Sequence, residues 1–130
     1  MLDTNAVSAI IKDRAKTLSA ILNERSSCIS VITEAELLFG LVRRAVNADL
    51  RRIVENFLAS VDILPWTSAS AQRYSLLRTE LETQGKSLAP MDLLIASHAM
   101  AEDCTLVSAD RAFAQVPGLH LLDWSTSPQK

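Results

Sequence analysis

The sequence predicts an α/β domain built on a short parallel sheet with helices on both faces. Three observations predict it. Short apolar, β-branched segments alternate with segments of helical periodicity, the order expected when crossover helices join parallel strands. Four isolated acids, Asp3, Glu36, Asp92 and Asp110, stand at the edges of apolar segments, two just after β-type runs and two at the starts of helical patterns. In an α/β domain such positions converge at the carboxyl edge of the sheet. The 130 residues suit one domain with a real core, and 48% hydrophobic with 22% charged residues excludes a disordered or fibrous chain.

Each element follows from local chemistry. Residues 1–3 end a first strand, and Asn5 is expected to cap a helix running to about Ile11. A second helical piece covers residues 16–23. Residues 28–31 are rich in β-branched side chains and predict a strand. Thr33 opens a helix through Glu36, Leu37 and Leu41 that ends near Arg43 and Arg44, cations suited to the negative end of the helix dipole. Leu50, Ile53, Val54, Phe57 and Leu58 carry helical periodicity over residues 48–61. Residues 62–64 form a short strand stopped by Pro65. A long helix spans residues 67–84, with Gly85 just past its end. Pro90 suits the first turn of the next helix, which reaches about Glu102. Residues 105–107 form a strand, residues 112–114 a short turn broken by Pro117 and Gly118, and residues 120–122 a last strand. One domain over residues 1–124 and a polar tail over 125–130 are expected.

The net charge of −2 argues against a protein that binds nucleic acid only by covering phosphates. It does not argue against one that reaches phosphate through a metal, because carboxylates that hold a cation lower the charge of the bare protein. Cys28 and Cys104 lie in or beside expected strands and read as small core residues with free thiols; no zinc spacing is present. No apolar run is long enough to span a bilayer, and no basic segment followed by an apolar core marks a signal peptide, so a cytoplasmic protein is expected. No GxxxxGK[ST] or GxGxxG appears, and His98 and His120 read as packing or surface residues.

Each acid has an ordinary structural reading beside the chemical one. Asp3 could cap the first helix, although Asn5 is available for that. Thr33 and Glu36 fit a capping box, in which the Glu reaches back to the cap amide; Glu34 is a solvated first-turn charge. Asp92 suits a helix N-terminus but is surrounded by Met91, Leu93, Leu94 and Ile95, where a lone acid calls for a partner or a metal. Asp110 is an ordinary turn aspartate, with Ser108 offering a hydroxyl. Together the four acids repel one another, and a divalent cation is the usual reason to keep such a group. The pattern points to a small metal-dependent enzyme acting on phosphate.

LDTN at residues 2–5, SVITEAELLFG at 30–40, the P-x-D-x-x-I-A pattern at 90–96 and TLVSADRAF at 105–113 give the chain a resemblance to the PIN-domain ribonucleases, and within them to the VapC-type toxins. The resemblance runs from MLDTN to LLDW, nearly the whole chain. It implies a three-layer PIN-like fold, a homodimer, and Mg²⁺- or Mn²⁺-dependent endonuclease activity on structured RNA, often a tRNA or rRNA loop. It also implies a small VapB-type antitoxin, encoded alongside, that covers the active site in a toxin–antitoxin hetero-oligomer. By it Asp3, Glu36, Asp92 and Asp110 fall on the acidic metal and catalytic site, and Thr4, Asn5 and Ser108 on its supporting positions. One departure is the start: only Met1 and Leu2 precede Asp3, so the first strand is short and Asp3 is the ligand expected to be least securely held. Ser108 stands where many relatives carry Thr.

The expected chemistry is attack on a phosphodiester by a metal-activated water, with an acid outside the metal shell orienting or deprotonating it. Arg43 and Arg44, with Arg51 and Arg52, form the densest basic group and are candidates for RNA contacts; singly, each reads as a solvated helix residue. Two other readings remain open. A haloacid-type phosphatase would want D-x-D-x-[TV], and Asn5 stands where its second Asp belongs. A PIN-like module that binds RNA or protein without catalysis would be expected to lack an acid. Apolar positions around Phe57, Leu58, Leu76 and Leu77 are candidates for a dimer face or for core.

Overall fold

The structure is a computed structural model that describes residues 1–12, 26–43 and 47–125; the helical piece expected at 16–23, Arg44 and residues 126–130 lie outside them. Along the chain come α1 (Thr4–Ile11), β1 (Cys28–Ser30), α2 (Val31–Arg43), α3 (Ala48–Ser60), β2 (Asp62–Leu64), α4 (Ser68–Thr83), α5 (Pro90–Ala101), β3 (Leu106–Val107), a 3₁₀ turn (Arg111–Gln115) and β4 (Leu121–Leu122). β1 pairs with β2 and β3 with β4, both in parallel. Leu2 joins the two pairs, bridging Ile29 on one side and Val107 on the other, so the order across the sheet is β2, β1, Leu2, β3, β4.

The period of two along the strands explains the layers. Met1, Cys28, Leu64, Leu106 and Leu121 face one side, where they pack with Leu77 and Leu81 of α4, Leu93 and Ala96 of α5, and Phe113. Their neighbours Leu2, Ile29, Ile63, Val107 and Leu122 face the other side, with Ala6 and Val7 of α1 and Phe57 and Leu58 of α3. A strand of two or three residues thus serves both cores, and a helix layer covers each face of the sheet. That is a three-layer α/β fold on a short parallel sheet.

Local signals set most boundaries. Asn47 caps α3 by accepting from the Leu50 N–H at 2.7 Å. Gly85, at φ +68°, takes the left-handed position after α4 that a side chain disfavours. Pro90 opens α5, where a missing N–H costs nothing. β1 ends one residue earlier than the β-branched run suggests, because Val31 already begins α2. Among the described residues no helix is long and apolar enough to cross a membrane.

His98, on α5, has no exposed surface, and its Nδ1 lies 2.7 Å from Ser30 Oγ. Burial holds its pKa below the usual 6.5, outweighing the Glu102 carboxylate 3.9 Å from Nε2 and a hydrogen bond to the Pro65 carbonyl. The folded protein therefore keeps His98 neutral where the unfolded chain would be protonated. In that window the unfolded state binds more protons, so stability that is full above pH 6.5 is lost as pH falls toward the depressed value. The urea midpoint is expected to drop between pH 7.5 and pH 5.5 in wild type, and to drop less in His98→Asn. Equal slopes would remove His98 as the cause.

Candidate active site

The four acids come from four different segments and meet at the carboxyl edge of the sheet. Asp3 follows Leu2 and is pinned on its backbone: its N–H donates to the Val107 carbonyl at 3.1 Å. Asp3 Oδ1 accepts from the Ala6 N–H at 2.8 Å and so caps α1; Oδ2 accepts from Ser108 Oγ at 2.5 Å. The cap expected of Asn5 is thus made by Asp3, and Asn5 is an exposed residue within the first turn. The short first strand does not leave Asp3 loose either. With strands bonded on both sides of residues 1–3, Asp3 is only 4% exposed.

Ser108, just past β3, is buried and ties two acids together. Its Oγ donates to Asp3 and accepts from the Asp110 N–H at 3.0 Å. Asp110 in turn caps the 3₁₀ turn through the Ala112 N–H at 2.9 Å. Across the edge, α2 carries Glu36, whose Oε1 accepts from Thr4 Oγ1. Because α2 begins at Val31, Thr33 lies inside the helix and the Thr33–Glu36 capping box does not form; buried Thr33 instead stands 3.5 Å from the Thr4 hydroxyl. From the sequence Thr33 reads only as a cap. Its place one turn before Glu36 on the same helix was the available signal.

Asp92 is the third residue of α5 and is half-buried. Among the described residues its carboxylate has neither a hydrogen bond nor an ion pair. Burial raises its pKa above the usual carboxylate range, and Asp110, Asp3 and Glu36 raise it further. Burial also raises Asp3, against the lowering effect of the Ser108 and Ala6 bonds, with Asp110 and Glu36 adding repulsion. Asp92 thus feels all three of the other acids, and Asp3 feels Asp110 and Glu36. The ion pairs among the described residues lie elsewhere: Arg52 with Asp49 at 2.9 Å and Arg78 with Glu82 at 3.1 Å.

Carboxylate and hydroxyl oxygens without a cation among them match the ligand preference of hard divalent ions such as Mg²⁺ or Mn²⁺. Among the described residues no three acidic, histidine or cysteine side chains are grouped tightly enough to grip one ion. A cation held by such a set would keep most of its own water, as Mg²⁺ does, rather than sit in a closed protein cage. Beside Glu36 and Thr4 opens a cavity of about 190 Å³, lined also by Ser8, Lys12, Gly40 and Arg43. Arg43 has no ion-pair partner among the described residues and lies over the Phe39 ring at 5.3 Å. Arg51 and Arg52, by contrast, are engaged with the Leu41 carbonyl and Asp49.

A parallel α/β domain with acids from four segments at one sheet edge defines a class, and residues 1–119 match the PIN domain: the chain belongs to the PIN-domain family. The relatives narrow this. The chain is 33% identical over 128 residues to the tRNA(fMet)-specific endonuclease VapC of Shigella flexneri, with 96% of this chain and 97% of that protein covered. It is 36% identical over 129 residues to ribonuclease VapC2 of Rickettsia felis, with 95% and 96% covered. The crystal structure of DNA-bound VapBC from Salmonella typhimurium matches with a TM-score of 0.88 at 31% identity, covering 95% of this chain and 96% of that one. Within the PIN family the chain is of the VapC type.

Proposed function

We propose that this protein is a metal-dependent endoribonuclease, the toxin of a toxin–antitoxin pair, that cuts structured RNA at a tRNA or rRNA loop. The observation that carries the proposal is the gathering of Asp3, Glu36, Asp92 and Asp110 at one sheet edge with no basic side chain paired to them among the described residues. The VapC relatives supply the substrate class, since they are named as ribonucleases or as a tRNA endonuclease.

Asp3, Glu36, Asp92 and Asp110 would hold a divalent ion, directly or through water, and its chemistry there would be to acidify water and offset charge on the scissile phosphate. The protein's own share is positional. Ser108 and the Ala6 N–H hold Asp3 in one orientation, and Thr4 holds Glu36, so neither carboxylate has to reorganise during reaction. Asp92 is the acid with no fixed partner among the described residues, which leaves its carboxylate available as a proton acceptor. We assign its carboxylate oxygen the role of taking a proton from the attacking water.

Substrate and antitoxin share one approach in this reading. Arg43 and Lys12 border the cavity beside Glu36 and offer contacts for RNA phosphates. On the same helix Phe39 and Val42 are 60% and 82% exposed, an apolar surface suited to a cognate VapB-type antitoxin that covers the site. The four apolar positions expected at a homodimer face or in the core divide. Leu77 is core, Phe57 and Leu58 pack on the sheet, and Leu76 alone of the expected four is strongly exposed, at 63%.

The deciding experiment incubates total RNA with antitoxin-free protein and Mg²⁺ or Mn²⁺, with an EDTA control. Discrete fragments made only with metal are expected, and sequencing their ends names the target. Failure of well-folded protein to cut would sink the nuclease reading. A second expectation concerns Arg43 and Arg44: reversing both to Glu weakens RNA binding and flattens its dependence on log salt by about one to two units of slope. An unchanged slope removes them from the RNA surface.

A further inference from the structure

We infer that His98 is a positioning residue for the acidic site, acting through Ser30 to set the spacing between Glu36 and Asp92; the inference rests on the metal reading of that site.

The two residues lie 68 positions apart in sequence and meet in the core. His98 Nδ1 and Ser30 Oγ are 2.7 Å apart, and both residues have no exposed surface. Ser30 Oγ also accepts from the Ile32 N–H at 3.0 Å. Beyond that bond Ser30 Oγ keeps its proton and a second lone pair, so it pairs with Nδ1 in either neutral tautomer of the imidazole. Two hydrogen bonds in series thus run from α5 to the first turn of α2.

These are the helices that carry Asp92 and Glu36. His98 follows Asp92 by six residues and Ser30 precedes Glu36 by six. Along α5 six residues span about 9 Å, so His98 lies under two turns from Asp92, and Ser30 closes β1 just before the helix that carries Glu36. Apolar contacts between helices are non-directional and let one helix slide or roll against another. A short hydrogen bond does not, and fixing α5 against the end of β1 fixes where its first turn projects Asp92.

Stability alone does not explain the pair. His98 Nε2 is buried without a close hydrogen bond, and the ring's other neighbours, the Glu102 carboxylate at 3.9 Å and the Pro65 carbonyl, satisfy it only in part. Nor is the Ser30, His98, Glu102 series a nucleophile: it is enclosed in the core, and Ser30 Oγ is already engaged with the α2 backbone. What remains is the geometry that the bond imposes on α2 and α5.

The test measures Mn²⁺ affinity, by the loss of the free-ion paramagnetic resonance signal, and the thermal midpoint in metal-free buffer. His98→Leu fills the site without a hydrogen-bonding atom; Ser30→Ala removes the hydroxyl with little change in volume. His98→Asn places Oδ1 where Nδ1 was. Loss of a residue that orients a ligand typically costs 10–100-fold in metal affinity, so His98→Leu and Ser30→Ala are expected to bind Mn²⁺ at least about 10-fold more weakly, with His98→Asn close to wild type. Thermal midpoints are not expected to follow that order. Should wild type bind Mn²⁺ and both deletions bind it equally well, His98 is a packing residue and the inference fails. Wild type that binds no Mn²⁺ overturns the metal reading of the site itself, and the inference with it.

Discussion

Asp92→Asn is expected to lower RNA cleavage by about 10²–10⁴-fold, the range for loss of a positioned proton acceptor, while raising the thermal midpoint of the metal-free protein. The two effects have one cause. Burial and the charges of Asp110, Asp3 and Glu36 disfavour the ionised carboxylate, so its pKa lies above the usual 3.8. A group whose folded pKa is raised is a cost to folding at every pH above that raised value, and the cost vanishes below pH 3.8, where folded and unfolded states are both protonated. Asn keeps the shape and removes the charge. The variant should therefore be the more stable protein at pH 7, and the difference should close as pH approaches 3.5. Mn²⁺ should raise the wild-type midpoint by mass action and raise that of the variant less. A site kept at the expense of stability is the signature of function. A pure Asp92→Asn protein that still cut RNA in a metal-dependent way would end this assignment.

Much of this arrangement is visible in the chain before folding. The alternation of Met1 with Leu2, Leu106 with Val107 and Leu121 with Leu122 already contains the two cores, since period two sends neighbours to opposite faces. Pro90 and Gly85 act through backbone geometry alone, so their positions mark boundaries reliably. The four acids stand out because each is isolated in apolar surroundings. What the chain does not display is which group an acid will bind. Asp3 and Asn5 are equally good caps on paper, and only the burial of Ser108 beside Oδ2 decides for Asp3. Thr33 looks like a helix cap until Val31 is seen to start the helix. The His98–Ser30 contact has no local signature at all, because it joins residues 68 apart through packing of whole elements.

The shortness of the first strand leads to the other large effect. Leu2→Ala is expected to cost about 2–5 kcal/mol, a substantial part of the 5–15 kcal/mol that separates folded from unfolded domains. Leu2 is 1% exposed and packs with Val7, Ile29 and Val107 on the α1 and α3 side. Its N–H donates to the Cys28 carbonyl at 2.9 Å, while the Met1 carbonyl accepts from the Val107 N–H at 2.8 Å. Those backbone bonds persist in the variant, but the side chain that seals the middle of the sheet on this face does not. The two strand pairs then meet over a cavity, and the loss falls on the residue next to Asp3. Cleavage by Leu2→Ala should therefore decline on warming well below the wild-type midpoint. Leu2→Met, which nearly conserves volume, should cost less than about 1.5 kcal/mol. Urea titrations of the three proteins decide it. If Leu2→Ala unfolded within about 0.5 kcal/mol of wild type, the sheet would be held together by its backbone bonds and flanking helices, and the single-residue strand would be a pairing element rather than part of the core.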